Sequence, residues 1–312
     1  MDALTEILQT MPLHSCFLGR AELSAPWGIQ VNRQQHAAFH IVTQGNCWLN
    51  IDSLQEPIAL NAGDLVVLPQ GHGHSLCYNL NSPAIALEEV LARRPSDNQN
   101  VFYFGGGGKA TTIVCGYFYF EDWENNPLIS ALSPVILIKG EAGRAVEWLE
   151  ATLEFLACES TSTRPGSHTV ITRLCDILFI QAVRAFITNL SDCDGCWLRA
   201  LKNPNISKAI AIIHHSPEKS WTVTTLAEQV CLSRSAFAEQ FKTLVGEPPL
   251  QYLTQVRMRK AIQFLRNSHD NLAKIAEYVG YESEAAFSTA FKRSIGQSPG
   301  KYRRSHCSDY TK

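Results

Sequence analysis

The sequence predicts an α+β chain: an N-terminal β-barrel, a pair of following helices, and a C-terminal all-α module with two helix-turn-helix units. Three observations predict it. Short β-branched and aromatic runs broken by Gly, Pro, Asn and Asp fill roughly 25–119, apolar residues recur at helical spacing from 141 onward, and one pattern in the last hundred residues occurs twice. The 312 residues suffice for two domains, and 45% hydrophobic with 18% charged residues suits buried cores and excludes wholesale disorder. A formal net charge of -2 conceals an asymmetry: residues up to Pro204 carry net -8, Asn205 to Lys312 net +6. The opening Met1-Asp-Ala-Leu-Thr-Glu6 has acids where a secretory signal needs bases, and no apolar run reaches 18 residues, so a soluble cytoplasmic protein without a membrane partner is expected. Ten cysteines are too sparse for a disulfide scaffold and read as core thiols, redox sensors or metal ligands.

Taken in order, Phe39–Ile51 and Asp64–Leu68 exemplify the strand text. Val146, Leu149, Leu153 and Leu156 mark one amphipathic helix, and Val170, Leu174 and Ile177 mark a second after a Ser/Thr/Pro/Gly break. The polar stretch from Asn189 to Pro204 is the linker candidate, which divides the chain into 1–190 (barrel and dimerisation or docking helices), 191–204 (linker) and 205–312.

The repeat carries the strongest signal. Leu226-Ala-Glu-Gln-Val230 recurs as Ile275-Ala-Glu-Tyr-Val279, and Phe237, Phe241, Lys242, Gly246, Pro249 and Tyr252 recur fifty positions on as Phe287, Phe291, Lys292, Gly296, Pro299 and Tyr302. In the first copy Leu226 and Val230 share one helix face, Ser233 can cap the next helix, and Phe237 and Phe241 share its buried face. Arg234, Ser235, Ala238 and Glu239 then face outward, as do Glu284, Ala285, Ser288 and Thr289 in the second copy. These short side chains let a helix approach base edges, while Arg234, Lys242, Lys292 and Arg293 reach phosphates of double-stranded DNA. Met258, Ala261, Ile262 and Leu265 mark one face of a long spacer helix, with Arg257, Arg259, Lys260 and Arg266 beside it. A generic helical bundle with solvated basic residues is the plain alternative.

The segment Lys274 to Arg303 closely resembles the C-terminal signature of AraC-type transcriptional regulators. That resemblance implies two recognition helices entering successive major grooves about 10 base pairs apart, and, in many members, activation of RNA polymerase. Ser235, Ala238, Glu239 and Ala285 replace the large or basic side chains usual at base-facing positions, so the resemblance leaves the operator open.

In the acidic half, Gly63-Asp-Leu-Val-Val-Leu-Pro69-Gln-Gly71-His-Gly-His74 fits the second motif of the cupins, in which a Gly turn starts a strand and a His is delivered into the barrel mouth. Phe39 to Leu49 fits the first motif only loosely, with His36 and His40 in place of its HxH and Glu ligands. The resemblance is to the cupin sensor domain attached to one branch of the AraC-type regulators. His40 and His74 form a candidate pair for a zinc or iron ion, or else hydrogen-bonded barrel histidines. The missing acidic ligand argues against a metal-dependent cupin enzyme, which stays as the reading from another class.

Cys16 and Cys115 stand where a reactive-chlorine-responsive activator of this family has its redox cysteines; His14, His40 or His74 beside either sulfur would lower the thiol pKa. Packing thiols are the alternative. Cys193 and Cys196 form a CxxC suited to a disulfide or half a zinc site. Gly105-Gly-Gly-Gly-Lys109 lacks the phosphate-loop frame and reads as a loop between strands. His214 and His215 read as surface or helix-end residues. The functional expectation is a DNA-binding regulator, an activator able to homodimerise, not an enzyme, controlled by an oxidant or by a small-molecule or metal inducer in the barrel.

Overall fold

Two sheets meet through apolar faces: burial alternates along Asn46–Ile51 of the smaller one, whereas Ala37–Gln44 and Leu65–Leu68 of the larger are mostly buried on both faces. The computed structural model describes residues 2–11, 13–92, 101–120, 123, 126–141, 146–160, 164–191 and 197–306. One unit spans Met11–Leu190. Its strands are β1 (Leu13–Ser24), β2 (Gly28–Val31), β3 (Ala37–Gln44), β4 (Asn46–Ile51), β5 (Ile58–Asn61), β6 (Leu65–Leu68), β7 (His74–Cys77), β8 (Ile85–Ala86), β9 (Val101–Gly105), β10 (Ala110–Phe120) and β11 (Ile136–Ile138). They form a six-stranded sheet in the order β11-β6-β3-β10-β1-β9 and a five-stranded one in the order β5-β4-β7-β2-β8. Ala21, Val42, Val66 and Leu68 of the first meet Leu49, Ile51 and Leu76 of the second in one core.

The other face of the larger sheet is covered by helices. Among the described residues this unit holds four, after the short α1 (Ala3–Thr10) that precedes it: α2 (Leu87–Ala92), which packs instead on β2 and β8 of the smaller sheet, α3 (Pro127–Ala131), α4 (Glu147–Ser160) and α5 (Ser167–Asn189), which packs on β1, β10 and β11. Phe39 stacks on Phe118 at 4.9 Å between centroids, and Phe118 and Phe120 pack at 5.0 and 5.4 Å on Phe179 of α5. The stripe on α5 that faces the sheet is Ile171, Cys175, Leu178, Phe179 and Ala182. Val170 and Ile177, whose spacing first signals this helix, point outward at 42% and 44% exposure. Periodicity finds the helix, but with two apolar stripes it does not say which is buried.

The second unit comprises Met1–Thr10 and Ser191–Lys312. It contains α1, then α6 (Pro204–His215), α7 (Val223–Gln229), α8 (Arg234–Val245), α9 (Pro249–Asn267), α10 (Leu272–Tyr278), α11 (Glu284–Ile295) and α12 (Pro299–His306). Two boundaries differ from the sequence expectation. The first ten residues belong with the helical unit and not with 1–190: Ala3 and Ile7 of α1 are buried, and Glu6 Oε1 lies 3.2 Å from His215 Nδ1 on α6. Part of the expected linker is also core, because Trp197–Lys202 forms a 3-10 helix with Leu198 and Ala200 fully buried. The Cys193/Cys196 pair lies outside the described residues. The glycine run does connect β9 to β10 as a loop, with Gly107 N donating to Ser24 Oγ at 2.9 Å.

Candidate nucleic-acid interface and sensor chain

Each helix-turn-helix is held by a three-ring cage. In the first copy Phe237 and Phe241 of α8 sit 5.6 Å apart, edge to face, and Phe241 meets Tyr252 of α9 at 5.7 Å. In the second, Phe287 and Phe291 of α11 sit 5.6 Å apart and Phe291 meets Tyr302 of α12 at 5.7 Å. Ser233 and Ser283 cap their helices by accepting from Ala236 N and Ala286 N at 3.3 and 3.2 Å. Gly246 and Gly296 end them in left-handed conformation, each donating its N–H to Lys242 O or Lys292 O at 2.9 Å.

Because the Phe pairs fix the buried face, the opposite face of each helix is free. Arg234, Ser235, Glu239 and Lys242 are exposed and Ala238 is half-buried at the edge; Glu284, Ala285, Thr289, Lys292 and Arg293 are exposed and Ser288 is half-buried. Gln240 on α8 and Ala286 on α11 are equally exposed, although the sequence reading passed over them. An exposed residue one step beyond a predicted contact gives no periodic signal. The spacer's basic residues are committed to internal work. Arg257 donates to Pro217 O at 2.7 Å and Lys219 O at 2.8 Å, and Arg266 donates to the Tyr302 hydroxyl. Local positive charge therefore overstates the phosphate-binding capacity.

His214 is a helix-end residue, in the last turn of α6, but not a surface one: it is buried, with Nε2 2.9 Å from the Tyr252 hydroxyl, and burial lowers its pKa to about 3. His215, beside Glu6, is the member of that pair at the surface.

In the barrel, β7 delivers His74 and β3 delivers His40 onto the interior, and the antiparallel register sets Cys115 of β10 opposite His40. Asp64 of the Gly63 turn is a structural carboxylate, accepting from Asn61 N, Gly140 N and Lys139 Nζ at 2.9 Å each. His74 Nδ1 is 2.9 Å from the His72 carbonyl, which only accepts, so Nδ1 carries the proton. A neutral His74 then accepts at Nε2, and His40 Nε2, 2.8 Å away, donates to it. Neutral His40 accepts at Nδ1, where the Cys115 thiol donates across 3.3 Å. The result is a directed chain, Cys115 to His40 to His74 to the His72 carbonyl, with its tautomers assigned from the network.

Two expectations meet this geometry. A histidine does lie beside Cys115, yet burial, then the neighbouring Cys47, raises the thiol pKa to about 12. Burial, then the neighbouring His74, holds His40 well below the usual imidazole range. A metal ion fits poorly, since His40 directs its two ring nitrogens at different partners and, among the described residues, no three His, Cys, Asp or Glu side chains converge. Cys16 faces Tyr117 across the β1–β10 pair and Cys115 lies two residues further on, so both thiols share the interior face. His14 packs toward Tyr119, and His36 lies 4.3 Å over Tyr117. None of the seven described cysteines is joined in a disulfide.

The Cupin family pattern matches residues 2–188 and a helix-turn-helix domain matches 226–305. HTH-type transcriptional regulator AlkR of Acinetobacter baylyi is 34% identical, covering 97% of this chain and 99% of the relative, and a putative AraC-like transcription regulator of Streptomyces antibioticus is 32% identical over 97% and 99%. The chain belongs to the AraC-type transcriptional regulators. As a regulator of this family it binds double-stranded DNA and is not an enzyme. The RCS-specific HTH-type transcriptional activator RclR of Escherichia coli is 29% identical over 97% of each chain. Among solved structures, the DNA-binding domain of AdpA in complex with a target DNA is 30% identical over 34% of this chain and 95% of that chain, with a TM-score of 0.32. ToxT from Vibrio cholerae is 11% identical over 96% of this chain and 98% of its own, with a TM-score of 0.36. Among the described residues no helix is long and apolar enough to cross a membrane.

Proposed function

We propose that this AraC-type regulator is a transcriptional activator switched by oxidation of Cys115, with Cys16 as the second thiol and a hypohalous acid as the oxidant. The single observation behind this reading is the chain that joins the Cys115 thiol to His40 and His74. As the sulfur attacks the electrophilic halogen, its proton passes to His40 Nδ1 while His40 Nε2–H passes to His74, so no separate thiolate has to persist in the buried site. Cys115 becomes a sulfenyl halide, and the departing hydroxide takes up the proton held by His74 and leaves as water. The Cys16 thiol then displaces halide, forming the disulfide and releasing hydrogen halide: two thiols are oxidised and one hypohalous acid is reduced by two electrons. Diagonal neighbours on paired strands stand about 7–8 Å apart, at or beyond the roughly 7 Å limit for a disulfide, so closure requires β1 and β10 to shift. β1 follows α1 after only two residues, so the chain itself carries that shift toward the DNA-binding unit. A homodimer formed through the sensor helices and contact with RNA polymerase belong to the same reading.

Mass spectrometry of the full chain under graded hypochlorite, with DNA binding followed in parallel, tests it. The expected result is a Cys16–Cys115 linked peptide that appears as DNA binding changes, and loss of the response in Cys115→Ser. A normal response in the Cys16→Ser/Cys115→Ser double variant contradicts the proposal, and stoichiometric zinc or iron in the purified protein would replace it with a metal trigger.

A further inference from the structure

The outer face of the six-stranded sheet is not fully covered by its helices. A cleft of about 410 Å³ remains between it and α4, within the 300–1,000 Å³ range of small-molecule sites. Phe17 and Val114 form its floor, and Leu153 and Leu156 of α4 form its apolar wall. At Val114 this space lies on the sheet face opposite Cys115, since neighbouring strand residues point to opposite faces, while Val42 of the barrel core also lines it.

Among the described residues two carboxylates and one guanidinium line the cleft. Glu150 and Glu154 lie one helical turn apart on its rim and are exposed. Among the described residues the one basic side chain lining it, Arg20, is paired with Glu22, and α4 itself contains four glutamates and no Lys or Arg. An anionic head group would meet two like charges here, whereas an ammonium finds two carboxylates at the edge of an apolar slot.

We infer that this cleft is a binding site for a lipophilic cation: a small apolar molecule carrying one amine or quaternary ammonium group. The site supplies a second input to the sensor unit, independent of the thiol chain. Because α4 packs on α5 in the same unit, an occupant that wedges α4 from the sheet would act on the helices that cover the barrel.

Calorimetric titration of the full chain with octyltrimethylammonium, 1-octanol and octyl sulfate, all below micelle formation, tests the assignment. The cation is expected to bind about tenfold more tightly than the sulfate, with octanol between them. Glu150→Gln/Glu154→Gln, two exposed changes that leave the core intact, should bring cation and sulfate to within about twofold and leave octanol unchanged. Ala157→Trp, which fills the rim, should weaken all three by about tenfold or more. Cys16→Ser/Cys115→Ser should bind the cation as the parent does, so failure of the thiol reading leaves this one standing, and the reverse. Equal affinity for sulfate and cation, or binding untouched by both the glutamate and Ala157 variants, would overturn it.

Discussion

The two helix-turn-helix copies share one aromatic cage and differ in what surrounds it. Ring separations agree to the tenth of an ångström, yet the turn of the first copy places Cys231 at φ 57 where the second places Gly280 at φ 80. A side chain is tolerable at the first turn because Cys231 is exposed. At the second it is not: a Cβ on Gly280 would meet Glu218 O at 2.3 Å, in the loop that Arg257 clamps through Pro217 O and Lys219 O. The cage tyrosines differ too, since Tyr252 bonds neutral, buried His214 and Tyr302 bonds the Arg266 guanidinium, each partner standing two residues before its helix cap. The duplication fixed the hydrophobic frame, while polar partners and turn strain diverged.

The comparison breaks most visibly if the cages are not equivalent. Phe237→Ala and Phe287→Ala should each cost about 3–5 kcal/mol in denaturant unfolding, the range for truncating a fully buried aromatic; a small loss in one alone would refute the equivalence. Next in size is the turn. Gly280→Ala should lose about 1–3 kcal/mol, from left-handed backbone and the Glu218 clash together, while Cys231→Ala, which leaves the backbone restriction as it is, should change little.

The tyrosine partners predict a pH dependence confined to the first copy. The unfolded His214 imidazole takes up a proton below its ordinary 6.5, whereas the buried one refuses it down to about 3. Acid therefore favours the unfolded chain: this contribution to stability is complete above 6.5 and is lost at about 1.4 kcal/mol per pH unit as pH falls between those values. Urea midpoints against pH should flatten over that window in His214→Gln, and an unchanged slope would remove His214 as the cause. Smallest is Cys231→Gly, which relieves the left-handed conformation and should gain about 0.5–1 kcal/mol in thermal unfolding.

Much of this was legible because the repeat is written in large residues at fixed spacing: Phe237, Phe241 and Tyr252 announce their partners fifty positions on, and the capping serines and Gly246 bound the helices. The Gly63–His74 motif likewise placed a histidine in the barrel. The directed Cys115–His40–His74 chain was not legible, since it depends on the register of β3 against β10 and on which nitrogen of His74 meets a carbonyl. Nor was the burial of His214, whose neighbour His215 is chemically identical and differs only in the helix face it occupies. Placement of α1 was hidden for a similar reason: Ala3 and Ile7 are too few apolar residues to reveal which core receives them.

The central claim is that α8 and α11 both present their outer faces to one duplex. Fluorescence anisotropy of a labelled DNA duplex across a salt series, with Lys242→Ala, Lys292→Ala and their double variant, tests it most directly. If both units engage, each single change weakens binding to every sequence and lowers the salt slope by about 1, and the double lowers it by about 2. A slope that responds to one lysine and ignores the other would mean that only one unit touches the phosphates, and no response to either would contradict the interface altogether.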